Sequence, residues 1–188
     1  VALLMGAPRN AADGDGLTAL HYAAQRDNES MVRRLVRAGA DVNATSSPND
    51  YTPLHKAAQF GSINAARALV EGGADLHAVS TRGRTPLAHA LVFDRAPDVE
   101  FARVLLDAGA DPDAADAAGR TALHHAAANA HEAWVPLLAR AGGSLAVRDT
   151  ANRAPLHLAV RSGDVATIEA LLDAGADLDA RGWRGRTA

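Results

Sequence analysis

The residues best suited to chemistry in this sequence are its eight histidines and its scattered aspartates. His21, His55, His124 and His157 stand 34, 69 and 33 residues apart. A zinc site needs several such ligands converging at about 2.0–2.1 Å on one ion, and this spacing supplies no local convergence. His124, His125 and His131 lie closer together but lack the i, i+4 spacing that places two ligands on one helical face. Asp13, Asp41, Asp75, Asp111, Asp116, Asp149 and Asp177 recur along the chain, which is the pattern of turn and cap residues. A catalytic pair is normally singular. Gly14-Asp15-Gly16 lacks the spacing of a phosphate-binding loop, and no nucleophile elbow is present. The expectation is therefore that the chain is not an enzyme: no catalytic, metal-binding or cofactor-binding residue is assigned.

Composition narrows the classes further. The 188 residues are 48% hydrophobic but only 4% aromatic, so a core must be built from small side chains, which suits closely stacked helices. A net charge of −3 argues against nucleic-acid binding, which needs a strong basic field. No run of 18 apolar residues exists, so no membrane span is expected. The absence of cysteine removes disulfides and thiolate metal sites and leaves the compartment open, with an intracellular setting favoured. Lys56 is the single lysine, a bias that GC-rich coding accounts for.

The elements that must position any site are set by a period. Gly6, Gly39, Gly73, Gly109, Gly142 and Gly175 each follow an apolar helical run, in steps of 33, 34, 36, 33 and 33. A second ladder of motif starts, Thr18, Thr52, Thr85, Thr121, Ala154 and Thr187, steps by 34, 33, 36, 33 and 33. One extra residue falls near Ser46-Ser47-Pro48 and three around Phe93–Asp98, both among turn residues.

Within a repeat, Thr52 suits a helix N-cap and Pro53 the first helical position. Leu54, Ala57 and Ala58 share one face, and Gly61 stops the helix. Ile63, Ala66, Leu69 and Val70 carry a second helix that Gly72-Gly73 ends. Such a pair cannot bury its apolar face alone, so stacking must complete the core.

The motifs at this period are Thr18-Ala-Leu-His21, Thr52-Pro-Leu-His55, Thr85-Pro-Leu-Ala88, Thr121-Ala-Leu-His124 and Ala154-Pro-Leu-His157, followed in four repeats by Gly-Ala-Asp. The sequence resembles the ankyrin repeat family over its whole length. The resemblance implies an all-α solenoid of stacked helix-turn-helix units, with short β-hairpin fingers and a concave face. The count divides one domain, 1–188, into the tail of a preceding repeat (1–12), full repeats at 13–45, 46–79, 80–115, 116–148 and 149–181, and the start of another at 182–188. Neither end reads as a polar capping repeat, so the protein is expected to extend in both directions. The resemblance makes the motif histidine a structural hydrogen-bonding residue. Repeat three departs from it with Ala88. Repeat four departs with Gly142-Gly-Ser144, and with Pro136 in a helix also holding Trp134, which should face the core.

Family members bind mainly through finger tips and the first-helix face. The residue before each motif start is Leu17, Tyr51, Arg84, Arg120, Arg153 and Arg186. First-helix ends add Phe60, Phe93 and Arg161, and a further finger position is Trp183. Tyr51, Phe60 and Phe93 are expected to form an aromatic patch. Arg84, Arg120, Arg153 and Arg186 form a row suited to acidic groups; the competing reading is that they are ordinary finger residues. The expected function is a non-catalytic protein–protein interaction module: a targeting or regulatory segment of a larger protein, monomeric, binding another protein with an acidic surface. The alternative is the recruiting part of an enzyme or toxin whose catalytic domain lies elsewhere.

Overall fold

In the computed structural model, residues 10–93 and 98–179 are described. Among the described residues ten α-helices follow one another in pairs: α1 (Ala19–Gln25) with α2 (Glu29–Arg37), α3 (Pro53–Phe60) with α4 (Ile63–Glu71), α5 (Pro86–Ala90) with α6 (Val99–Asp107), α7 (Ala122–Ala128) with α8 (Val135–Arg140), and α9 (Pro155–Ser162) with α10 (Val165–Asp173). The odd-numbered helices pack in a row, α1 on α3, α3 on α5, α5 on α7 and α7 on α9; the even-numbered helices make a second row in the same order. The longest helices have nine residues, and none among the described residues is long and apolar enough to cross a membrane.

The register of the core is the register of the sequence. Leu20, Leu54, Leu87, Leu123 and Leu156 are all buried on the first-helix row, and Leu35, Leu69, Leu105, Leu138 and Leu171 on the second. Each fully buried leucine contributes about 1.5–3 kcal/mol of transfer free energy. Between them the alanine pairs Ala23-Ala24, Ala57-Ala58 and Ala126-Ala127 are buried, so neighbouring first helices approach closely. Second helices end in left-handed glycines, with φ from 80° at Gly39 to 98° at Gly109. The next amide reaches back to the buried leucine's carbonyl, as Ala74 does to Leu69 at 2.9 Å.

Two departures foreseen from the sequence have a structural form. In repeat four the second helix starts as a 3₁₀ turn, Glu132–Trp134, which leaves Pro136 in the first turn of α8, where its missing N–H costs little. Trp134 is buried. In repeat three the first helix stops at Ala90, so Phe93, expected at the end of that helix, lies beyond it. Of the segment around Phe93–Asp98 that holds the insertion, residues 94–97 lie outside the described residues.

Candidate partner-binding face

The fingers begin with local backbone pairing. Ser46, Ser80, Asp116 and Asp149 each donate an amide hydrogen bond to the carbonyl of the residue before the next helix cap, Tyr51, Arg84, Arg120 and Arg153, at 2.9–3.0 Å. Fingers also pair with one another: the amides of Ser47, Thr81, Ala117 and Thr150 donate to the carbonyls of Asp15, Asn49, Arg82 and Ala118. The finger tip is left-handed, glycine at Gly16, Gly83 and Gly119 and Asp50 in the second finger. At Gly83, with φ +71°, an added Cβ would sit 2.8 Å from the Ala117 nitrogen.

The motif histidines brace the fingers. Nδ1 of His21 accepts from the backbone N–H of Thr18 at 3.1 Å, so its proton sits on Nε2, which donates to the Tyr51 carbonyl at 2.8 Å. His55 does the same between Thr52 and the Arg84 carbonyl, and His124 between Thr121 and the Arg153 carbonyl. Each ring therefore ties its own helix start to the next finger. Burial disfavours the charged ring and lowers the pKa of all three, that of His55 to about 4. Of the other two clustered histidines, His131 donates to the Phe93 carbonyl at 2.9 Å and His125 meets Asp116 at 3.0 Å. Among the described residues no group of three or more metal-ligating side chains converges.

The recurring aspartates hold turns. Oδ1 of Asp41, Asp75, Asp111 and Asp177 accepts the amide two residues on. Asp116 and Asp149 are deeper, and they organise the arginine row. Asp149 accepts four hydrogen bonds: Oδ1 from the amides of Ala151 and Arg153, and Oδ2 from Nε and the terminal nitrogen of Arg153 at 2.9 and 2.6 Å. That is the capacity of a carboxylate. Arg120 stands 3.7 Å from the same Oδ2, close enough for attraction but without a hydrogen bond from its buried Nε. Asp116 repeats the arrangement: its oxygens take the amides of Ala118 and Arg120 and the His125 ring, while Arg84 Nε waits at 3.5 Å, also unbonded. Burial pushes both carboxyls up, but these donors outweigh it and the net pKa of each is lowered.

The predicted residues thus fall into groups. Arg84, Arg120 and Arg153 do line one row, and each is tied to a buried finger carboxylate, which sequence reading did not foresee. The sequence held a signal for it: Asp116 and Asp149 stand five residues before their motif starts, where Ser47 and Ser80 stand in repeats two and three. Arg161 is exposed on α9. Tyr51 and Phe93 are joined through a residue the reading missed, His89, with ring centroids 4.6 and 5.3 Å from them. Phe60, 51% exposed, makes no ring contact with either among the described residues. The ammonium of Lys56 lies 5.2 Å from the Tyr51 ring centroid. His89 is buried with neither ring nitrogen hydrogen-bonded, and burial lowers its pKa to about 3. Trp183 and Arg186 lie outside the described residues.

Paired helices, glycine-linked fingers and histidine struts at a 33-residue period define a helical repeat solenoid. The family model for ankyrin repeats matches in three copies, over residues 1–80, 47–116 and 93–182, and the chain belongs to that family. Each match is longer than two periods, so together they tile the solenoid. No curated protein matches the sequence. Ankyrin repeats are in general protein–protein interaction modules and are typically non-catalytic.

Proposed function

We propose that this chain recruits a partner protein with an acidic surface to its fingers and first-helix face, as a non-catalytic targeting or regulatory segment of a larger, monomeric protein. The observation that carries this reading is the imbalance along the finger row. Arg84, Arg120 and Arg153 face two buried carboxylates, Asp149 with all four acceptor sites taken and Asp116 with three, and exposed Arg161 adds a fourth guanidinium nearby. Guanidinium donors left unbonded beside a groove favour carboxylates. The Tyr51–His89–Phe93 stripe supplies apolar area at the other end of the face.

The test is capture of partners by the wild type and by an Arg161→Glu variant, at low and high salt, with identification of what is lost. The substitution reverses an exposed charge and leaves the Asp149–Arg153 pair intact. An acidic protein captured by the wild type at low salt and lost from the variant is the expected result. Identical captured sets, or losses confined to basic proteins, refute it.

A further inference from the structure

Between the first helices of the last two described repeats lies a cavity of about 280 Å³, lined by Arg120, Ala128, Leu158, Arg161 and Ser162. We infer that it is a subsite for one acidic side chain, aspartate or glutamate, of a bound protein segment. This deepens the proposed function and rests on it.

Three features converge. Two guanidiniums, from the finger of repeat four and the helix of repeat five, reach one small space. Arg120 is held there by attraction to Asp149, yet it makes no hydrogen bond through Nε, because Asp149 is saturated by the amides of Ala151 and Arg153 and by the Arg153 guanidinium. The carboxylate therefore fixes the position of Arg120 and leaves its donors unspent. Arg120 and Arg153 share that one buried carboxylate, and Arg161 has no ion pair among the described residues, so the space is electropositive. The remaining wall is apolar. The register position that holds Tyr22, Lys56, His89 and His125 in earlier repeats is Leu158 here, buried, beside Ala128.

A Tyr22-type or His125-type residue would reach back to its finger aspartate, as those two do at 2.5 and 3.0 Å. Leu158 cannot, and Arg153 folds onto Asp149 instead. The result is a charged rim over an apolar floor, which matches a carboxylate on a short methylene stem. At about 30 Å³ for a water in the liquid, the volume admits such a side chain with a few waters. A bare inorganic anion would leave Leu158 and Ala128 without a partner.

The experiment follows the arginine Nε–Hε signals of the full chain by NMR while blocked glutamate (N-acetyl, C-amide) is added. Arg120→Lys and Arg161→Gln variants assign the two peaks. The Arg120 and Arg161 signals should move together along one saturable curve, blocked glutamine should leave them still, and Arg161→Gln should raise the midpoint by about tenfold. Equal movement at Arg67, Arg103 and Arg140, which lie away from the cavity, overturns the inference, as does saturation by inorganic phosphate at lower concentration. The small probe reads the cavity alone. A negative result together with salt-sensitive capture of an acidic partner fails the subsite and not the proposed function.

Discussion

Acidification should unfold this protein through its histidines rather than its carboxylates. His55 and His89 are buried, and their folded pKa values are lowered to about 4 and about 3 by burial. In the unfolded chain a histidine titrates near 6.5. Above that pH both rings are neutral in both states, and their contribution to stability is complete. As pH falls through 6.5 the unfolded state takes up protons that the folded state refuses, so stability is lost down to the folded pKa. At pH 5.5 each ring costs about 1.3 kcal/mol relative to pH 7, about 2.5 kcal/mol for the pair, from the 1.36 kcal/mol carried by one pKa unit. This figure is insensitive to the folded pKa, since both lie more than a unit below pH 5.5. His21 and His124, also lowered, act in the same direction. The assay is urea unfolding at pH 7.0 and 5.5, with the midpoint and slope compared. His89→Leu provides the internal control, since Leu158 occupies the same register position, buried, in the last repeat. It removes two unbonded buried nitrogens and should raise stability at pH 7 by about 1 kcal/mol. It should also cut the pH-dependent loss by close to 1.3 kcal/mol. Equal stability at the two pH values, or a full loss retained in His89→Leu, refutes the reasoning.

Three further outcomes follow from the fingers and caps. Gly83→Ala should cost about 2–4 kcal/mol, because the left-handed φ is strained and the new Cβ strikes the Ala117 amide; Gly73→Ala, with φ +85° but open space, should cost only the strain, about 1–2 kcal/mol, in the same denaturation assay. Ala130 holds a left-handed φ of 56° after α7, where Gly61 and Gly163 stand after α3 and α9, so Ala130→Gly should raise the thermal midpoint, with a gain of about 0.5–1 kcal/mol. Asp149→Ala deletes four hydrogen bonds and strands Arg153 and Arg120, and should cost about 3 kcal/mol; a double-mutant cycle with Arg153→Ala should return a coupling above about 1 kcal/mol.

Much of the architecture was legible because every repeat solves the same packing problem with residues of its own. Leu54 must face inward for the same helical-face reason as Leu87 and Leu123, and the glycine ladder marks where each second helix has to turn. The sequence by itself therefore determined the period, the helix pairs and the stops, and its resemblance implied the hydrogen-bonding role of the motif histidines, whereas the 3₁₀ start that leaves Pro136 in the first turn of α8 came only with the structure. The sequence also located the arginine row along the chain.

What it did not determine was the state of each arginine, because a guanidinium can be free or spent and the difference lies in a neighbour from another repeat. Asp116 is 32 residues from Arg84 and Asp149 is 29 from Arg120, so only the stack brings them to 3.5 and 3.7 Å. The same is true of the aromatic stripe: Tyr51 and Phe93 meet through His89 because consecutive first helices pack side by side, while Phe60, assigned with them by sequence position, stands apart. Spacing along the chain decides which face a side chain lies on. Which hydrogen-bond acceptors remain to it depends on contacts between repeats, and those are fixed only when the solenoid closes.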